Sequence, residues 1–284
     1  LARFPFEPEQ AGLQRFPADA LGWSLPGPPE VSFLPCLGGL VGSDILAGLL
    51  ATGIHESQQV HALIDLGTNG EIAVGNHEKI LCASTAAGPA FEGARISAGM
   101  RAVTGAIHEV NFTGGRLHCH VLGDGPPRGI CGSGLVDAVA AGLESGVISP
   151  SGRLANGPLF ELAPPVSLRQ SDIRELQLAK GAIAAGFRLL LEAWGAQLED
   201  LEQVHLSGAF GNYINQASAR RIGLLNVSEA RIVSAGNTAL RGAKIALCAG
   251  NSDPAFTALR ERVRHVSLHE HPKFQEYFVM EMGF

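Results

Sequence analysis

The chain has 284 residues, 46% hydrophobic and 17% charged, a balance that supports a large buried core and excludes intrinsic disorder. A net charge of −6 argues against nucleic acid as the main partner. Five dispersed cysteines (Cys36, Cys82, Cys119, Cys131, Cys248) with no C-x-x-C pair fit free thiols in a reducing, cytoplasmic setting, not a zinc site or an iron–sulfur cluster within this chain.

Residues 1–35 hold seven of the sixteen prolines and read as a connecting segment, so the chain is expected to be a fragment that lacks an N-terminal part. Leu34 to Ile54 is long and apolar with Asp44 as its one charge, but five glycines and that central Asp favour a buried helix over a membrane span. Residues 36–58 are assigned to this helical stretch and residues 59–284 to the main domain. Val60 to Leu66 is a near-continuous apolar run, as a buried strand requires. Gly67 to Gly70 turns the chain, Glu71 to Val74 returns, and Lys79 to Ala83 completes a meander. Ala106 to Phe112 and Arg116 to Leu122 alternate as a hairpin around Gly114-Gly115. Helical spacing follows over Leu135–Leu143. Asp172 and Glu175 open a long helix that Gly195 stops near Trp194. Strand Val204–Leu206, helix Ala217–Ile222, strand Arg231–Ser234 and helix Thr238–Cys248 come next, then a helical 254–264 and a strand at 265–268. A βββ meander followed by αβαβα predicts an α/β, ribonuclease-H-like lobe, a mixed sheet with helices on both faces.

Four small-residue loops punctuate this order. In Ile64-Asp-Leu-Gly-Thr-Asn-Gly-Glu71 a strand ends in Asp65, and a tight turn offers Gly67, Thr68, Asn69 and Gly70. Such amides cradle phosphate and such a carboxylate holds hydrated Mg²⁺; a plain polar hairpin turn is the alternative. Gly129-Ile-Cys-Gly-Ser-Gly134 enters a helix, where Gly132, Ser133 and Gly134 could favour an anion, or Ser133 could serve as N-cap. Gly208, Ala209, Phe210 and Gly211 follow a strand and leave room for a flat ligand; close helix–strand packing is the alternative. Gly236-Asn237-Thr238 repeats the arrangement, with Thr238 a candidate N-cap. Together the loops are expected to converge on one edge of the sheet. Glu92 is a further candidate base or Mg²⁺ partner. His118-Cys119-His120 and His269-Glu270-His271 are weak metal candidates, since neighbouring residues on a strand alternate faces.

These segments, with Val41–Gly48, Ser84–Gly93 and Asp172–Lys180, resemble the C-terminal domain of the reductive activators of corrinoid-dependent enzymes. That resemblance implies membership in the superfamily of acetate and sugar kinases, heat-shock chaperones and actin, which bind ATP·Mg²⁺ between two lobes. By position, Asp65–Glu71 is similar to the second phosphate motif and Ser207–Asn212 to the adenosine motif. Val41–Gly48 and Gly236–Gly242 resemble the two interlobe connecting helices. The expected activity is ATP-driven reduction of cobalt(II) to cobalt(I) in a corrinoid protein that serves a methyltransferase system. Asp65 would organise Mg²⁺, and Asp65 and Glu92 are the candidate catalytic groups. The electron is expected to come through a 2Fe–2S ferredoxin domain upstream of this chain; neither membrane nor nucleic acid is expected as a partner, and a homodimer is one expected assembly. The first phosphate motif and the ferredoxin cysteines are absent here, so the chain reads as the second lobe of a two-lobed domain. Asn226 and Ala209 depart mildly from the family pattern. A docking module with a degenerate nucleotide site is the alternative, and a small-molecule kinase lacks a recognisable acceptor motif.

Overall fold

The computed structural model describes residues 10–27, 29–249 and 253–284; residues 1–9, 28 and 250–252 lie outside the described residues. Within the Pro-rich segment, β1 (Gln14–Pro17) and β2 (Glu30–Phe33) pair antiparallel, and Phe16 packs edge-on against Phe33 at 5.8 Å. The apolar stretch after it yields only a ten-residue helix, α1 (Ser43–Thr52), which buries Ile45, Leu46 and Leu49. No helix among the described residues is long and apolar enough to cross a membrane.

Strands β3 (Val60–Leu66), β4 (Gly70–Gly75) and β5 (Ile80–Thr85) form the expected antiparallel meander. The hairpin β6 (Ala106–Thr113) and β7 (Arg116–Val121) joins β8 (Gly129–Ile130) in a separate three-stranded sheet. Helix α2 (Gly132–Glu144) follows at once. Next come a hairpin not anticipated from the sequence, β9 (Leu159–Ala163) and β10 (Val166–Arg169), and the long α3 (Gln170–Trp194). The helix starts two residues before Asp172, with Arg169 as N-cap: Asp172 stands at the third helical position and its carboxylate accepts from the Arg169 amide at 2.8 Å, so it closes the capping box in the place the sequence reading gave to Glu175. Strand β11 (Leu201–Ser207), the single turn α4 (Gly208–Gly211), α5 (Gln216–Arg221), β12 (Ile232–Gly236) and α6 (Thr238–Ala249) complete the alternating half. The tail holds α7 (Asp253–Arg262), β13 (Val263–His265), which starts two residues before the expected strand, and an unanticipated α8 (Phe274–Met280).

The main sheet runs β12-β11-β3-β4-β5-β13. Both β11 and β12 run parallel to β3, and β13 runs parallel to β5, so the sheet is mixed. Side chains alternate along β3. Ala62, Ile64 and Leu66 join the core that includes Ile183 of α3 and Val136 of α2. Leu63 joins Ile45, Leu46 and Leu49 of α1 on the opposite face. With both faces covered, β3 is apolar nearly throughout. This is the ribonuclease-H-like, actin-like layout expected from the sequence.

Candidate functional site

The carboxyl ends of β3 and β11 lie side by side, with Ser207 paired to Asp65. The Ser207 hydroxyl donates to Asp65 Oδ2 at 2.6 Å. Gly208 follows with φ +88°, and a Cβ there would lie 2.6 Å from both Asp65 Oδ1 and the Leu66 carbonyl. Both the left-handed backbone and the close approach demand glycine at this position.

Asp65 faces Glu71 across the β3–β4 ladder, and Asp44 at the start of α1 adds its charge to both. Burial, countered by the Ser207 hydrogen bond and reinforced by Asp44, raises the Asp65 pKa. Burial, with the charge of Asp44 second, pushes Glu71 up to about 7. No cation is among the groups that set these values. Added positive charge would relieve all three carboxylates. They do not make a cage: no group of three or more metal-ligating side chains suited to an ion exists among the described residues. That donor set fits Mg²⁺, which keeps most of its waters and takes one or two carboxylates plus phosphate oxygens. The same finding leaves neither His118-Cys119-His120 nor His269-Glu270-His271 as a metal site. The five free cysteines do not assemble into ligands for an iron–sulfur cluster.

On the other side of β3, where Leu66 points, a cavity of about 900 Å³ opens, within the range of small-molecule sites. Gly67 from the β3–β4 turn, Gly132 and Ser133 from the first turn of α2, Phe210 from α4 and Glu92 all line it. The structure therefore brings three of the four small-residue loops to one cavity. Phe91 and Phe210 stack there with centroids 4.6 Å apart. A Cβ on Gly132 would lie 1.9 Å from the Phe91 carbonyl, so glycine alone lets α2 start this close to the stacked pair. The helix begins at Gly132, three residues before its apolar spacing, and the N-cap is Cys131, whose side chain makes no capping hydrogen bond. Ser133 is thus not the N-cap; its hydroxyl donates to the His108 carbonyl at 2.9 Å.

The remaining sequence candidates divide. Thr68 donates its hydroxyl to Glu92, tying the exposed turn to the segment after β5. The Asn69 carbonyl accepts from the Gly67 amide at 3.0 Å, closing the turn. Gly70 and Gly134 are buried against Ile183 and Ile107 and serve packing. Gly211 is buried, and Ala209 lies in the α4 turn. Asn237 is not in the cavity wall: its Oδ1 accepts from the Leu240 amide at 2.9 Å, so it, and not Thr238, caps α6. Sequence reasoning missed Asp44, Glu71, Asp137, His108 and Arg101. The last three line the cavity, and the only signal for Asp137 was its being the one charge in the apolar run 135–143.

The model of the family described as the C-terminal domain of RACo, the ASKHA domain, matches residues 59–284. The corrinoid activation enzyme RamQ of Eubacterium limosum is 38% identical over 282 residues, covering 89% of this chain and 47% of that protein. The Co(II) methylated amine-specific corrinoid protein reductase of Methanosarcina barkeri is 30% identical over 279 residues, with 90% and 52% covered. A solved structure of a reductive activator for corrinoid,iron-sulfur protein superposes with a TM-score of 0.89 at 30% identity, covering all of this chain and 49% of that one. The chain spans about half the length of these relatives. The family-model match and the shared fold agree that the chain belongs to the family of RACo C-terminal ASKHA domains.

Proposed function

We propose that this chain is the nucleotide-binding lobe of an ATP-dependent reductive activator that returns a corrinoid protein from cobalt(II) to cobalt(I). The observation that carries this reading is the meeting of Gly67, Gly132, Ser133 and Phe210 at one cavity, across β3 from Asp65 and Glu71, whose pKa values burial and neighbouring carboxylates raise. The relatives' names supply the chemistry of the acceptor.

Each residue has a role that its surroundings support. Asp65, oriented by Ser207, holds hydrated Mg²⁺, with Glu71 and Asp44 adding negative charge around it. The Gly67–Asn69 turn and the uncapped amides of α2 face the phosphates. Phe210 packs beside the adenosine. Glu92, held by Thr68, lies beside the turn, where it can orient water. Mg·ATP, when bound, supplies the free energy that a ferredoxin electron lacks, provided it binds two conformations unequally. The electron enters from a 2Fe–2S domain upstream of residue 1. One electron reduces cobalt(II) to cobalt(I), while ATP and water become ADP and phosphate. Residues 1–35 connect to the rest of the polypeptide, 36–58 carry a connecting helix and 59–284 form the lobe.

The test is an anaerobic assay of the full-length protein with its corrinoid partner, following the cobalt(II)-to-cobalt(I) absorbance change. Cobalt(I) should form only with Mg·ATP, and Asp65→Asn should abolish it. Equal formation without ATP would overturn the reading in favour of a docking module with an idle nucleotide site.

A further inference from the structure

Residues 93–105 join the Glu92 turn to β6 without a helix or strand of their own, yet part of this backbone is held from two sides. On one side is the buried Asp172, in the segment Asp172–Lys180 that the proposed function leaves without a role. Its carboxylate accepts from the Ser97 amide at 2.8 Å and from the Ser97 hydroxyl at 2.6 Å. With the Arg169 amide as a third donor, this buried charge is satisfied and fixed in place. On the other side is Ile130 of β8. Its amide donates to the Ala98 carbonyl at 2.8 Å, and its carbonyl accepts from the Met100 amide at 2.9 Å. Gly99 bridges Ile130 in parallel. Arg101 lies two residues past Gly99, and Gly132 two past Ile130, so the register brings Arg101 level with the start of α2.

The Arg101 side chain is exposed and lines the cavity together with Gly67, Gly132 and Ser133. Among the described residues it is the only arginine or lysine in that wall, and its guanidinium has no hydrogen-bond or ion-pair partner there. Glu92 and Glu109 share the wall, but Arg101 pairs with neither, and Glu92 is taken by Thr68. The result is an anchored backbone that carries an unused charge. A triphosphate stays anionic after Mg²⁺ binds, and these two carboxylates oppose its entry. Backbone amides offer only partial charges against that. A guanidinium is permanently charged, and its planar fork matches two phosphate oxygens at once. Because the loop is already held, little backbone ordering is left to oppose binding.

We propose that Arg101 is the fixed cation that receives the phosphates at this cavity, a second positive charge beside the Mg²⁺ that Asp65 holds. The inference rests on the nucleotide reading above and adds a phosphate contact that lies outside every glycine loop. It also gives Asp172 a part in the site: through Ser97 it positions the loop that presents Arg101.

The experiment is isothermal titration of the full-length protein with ATP, ADP and AMP, each with Mg²⁺, and with adenosine read by displacement of ATP. Arg101→Ala should bind ATP about 10- to 100-fold more weakly than wild type, the usual worth of hydrogen bonds to a charged group. Adenosine should bind both proteins alike, and the shortest nucleotide still weakened identifies the phosphate that Arg101 touches. Added salt should lower ATP affinity more steeply in wild type than in the alanine variant. Arg101→Lys, which keeps the charge without the fork, should recover part of the loss. Melting without nucleotide should match wild type in both variants, since no contact of the fold uses this side chain. If Arg101→Ala binds ATP as wild type does, if adenosine is weakened as much as ATP, or if lysine is no better than alanine, the inference falls and the nucleotide reading stands. If wild type binds no nucleotide, both fall.

Discussion

The two sides of strand β3 were built from the same alternating apolar run, yet one is sealed and the other open. On the α1 side, Leu63 packs under α1, and α1 and α6 approach so closely that a Cβ on Gly242 would lie 1.8 Å from the Ala47 carbonyl. What polarity remains there is squeezed: Asp65 and Glu71 are both raised, and burial drives His205 down to about 4. On the α2 side, Leu66 lies at a cavity whose wall also holds Phe91, Glu92 and the first turn of α2. The contrast teaches that glycine does opposite work on the two sides. At Gly242 it lets two helices close a wall; at Gly132 it lets a helix end come to the rim of a cavity.

The comparison can be broken most forcefully at the sealed wall. Gly242→Val should force α1 and α6 apart and cost about 4 kcal/mol or more in urea unfolding. Unchanged stability would mean the two helices are not locked together. On the open side, Phe91→Ala should remove half of the stack and cost about 3 kcal/mol, since the ring is 3% exposed. A smaller, pH-dependent effect sharpens the account of the carboxylates. Glu71 has a folded pKa of about 7 against an ordinary 4.5, so its stability contribution is fully present below 4.5 and lost as pH rises through 7. Glu71→Gln should therefore melt a few degrees above wild type at pH 8 and no higher at pH 4. A melting point equal to wild type at pH 8 would show that Glu71 is already neutralised there. The smallest effect is expected at the exposed turn, where Thr68→Val, losing its bond to Glu92, should change stability by less than about 1 kcal/mol.

Much of this architecture is legible along the chain because it is local. The β3–β5 meander, the β6–β7 hairpin, the start of α3 to within two residues and its stop at Gly195 all follow from period, turn residues and caps. Features fixed by contacts distant in sequence are not. The strands of the hairpin β9–β10 are only five and four residues long, and α8 is tied down by Tyr277, whose hydroxyl bonds Glu192 from 85 residues away. The loops around Gly67, Gly132 and Phe210 could be singled out one by one, but their shared cavity is a tertiary fact. Asp137 sits in an apolar helical run, and only the packing of α2 turns it from a misplaced charge into part of that wall. Asp44 likewise gains meaning only when α1 brings it near Asp65.

The most direct measurement is thermal unfolding of the full-length protein with and without Mg·ATP, for wild type and Asp65→Asn. At a hundred times Kd, bound nucleotide should stabilise wild type by about 2.7 kcal/mol, and the variant should show no such gain. An identical gain in both would contradict the role of Asp65, and no gain in wild type would contradict a nucleotide at this cavity.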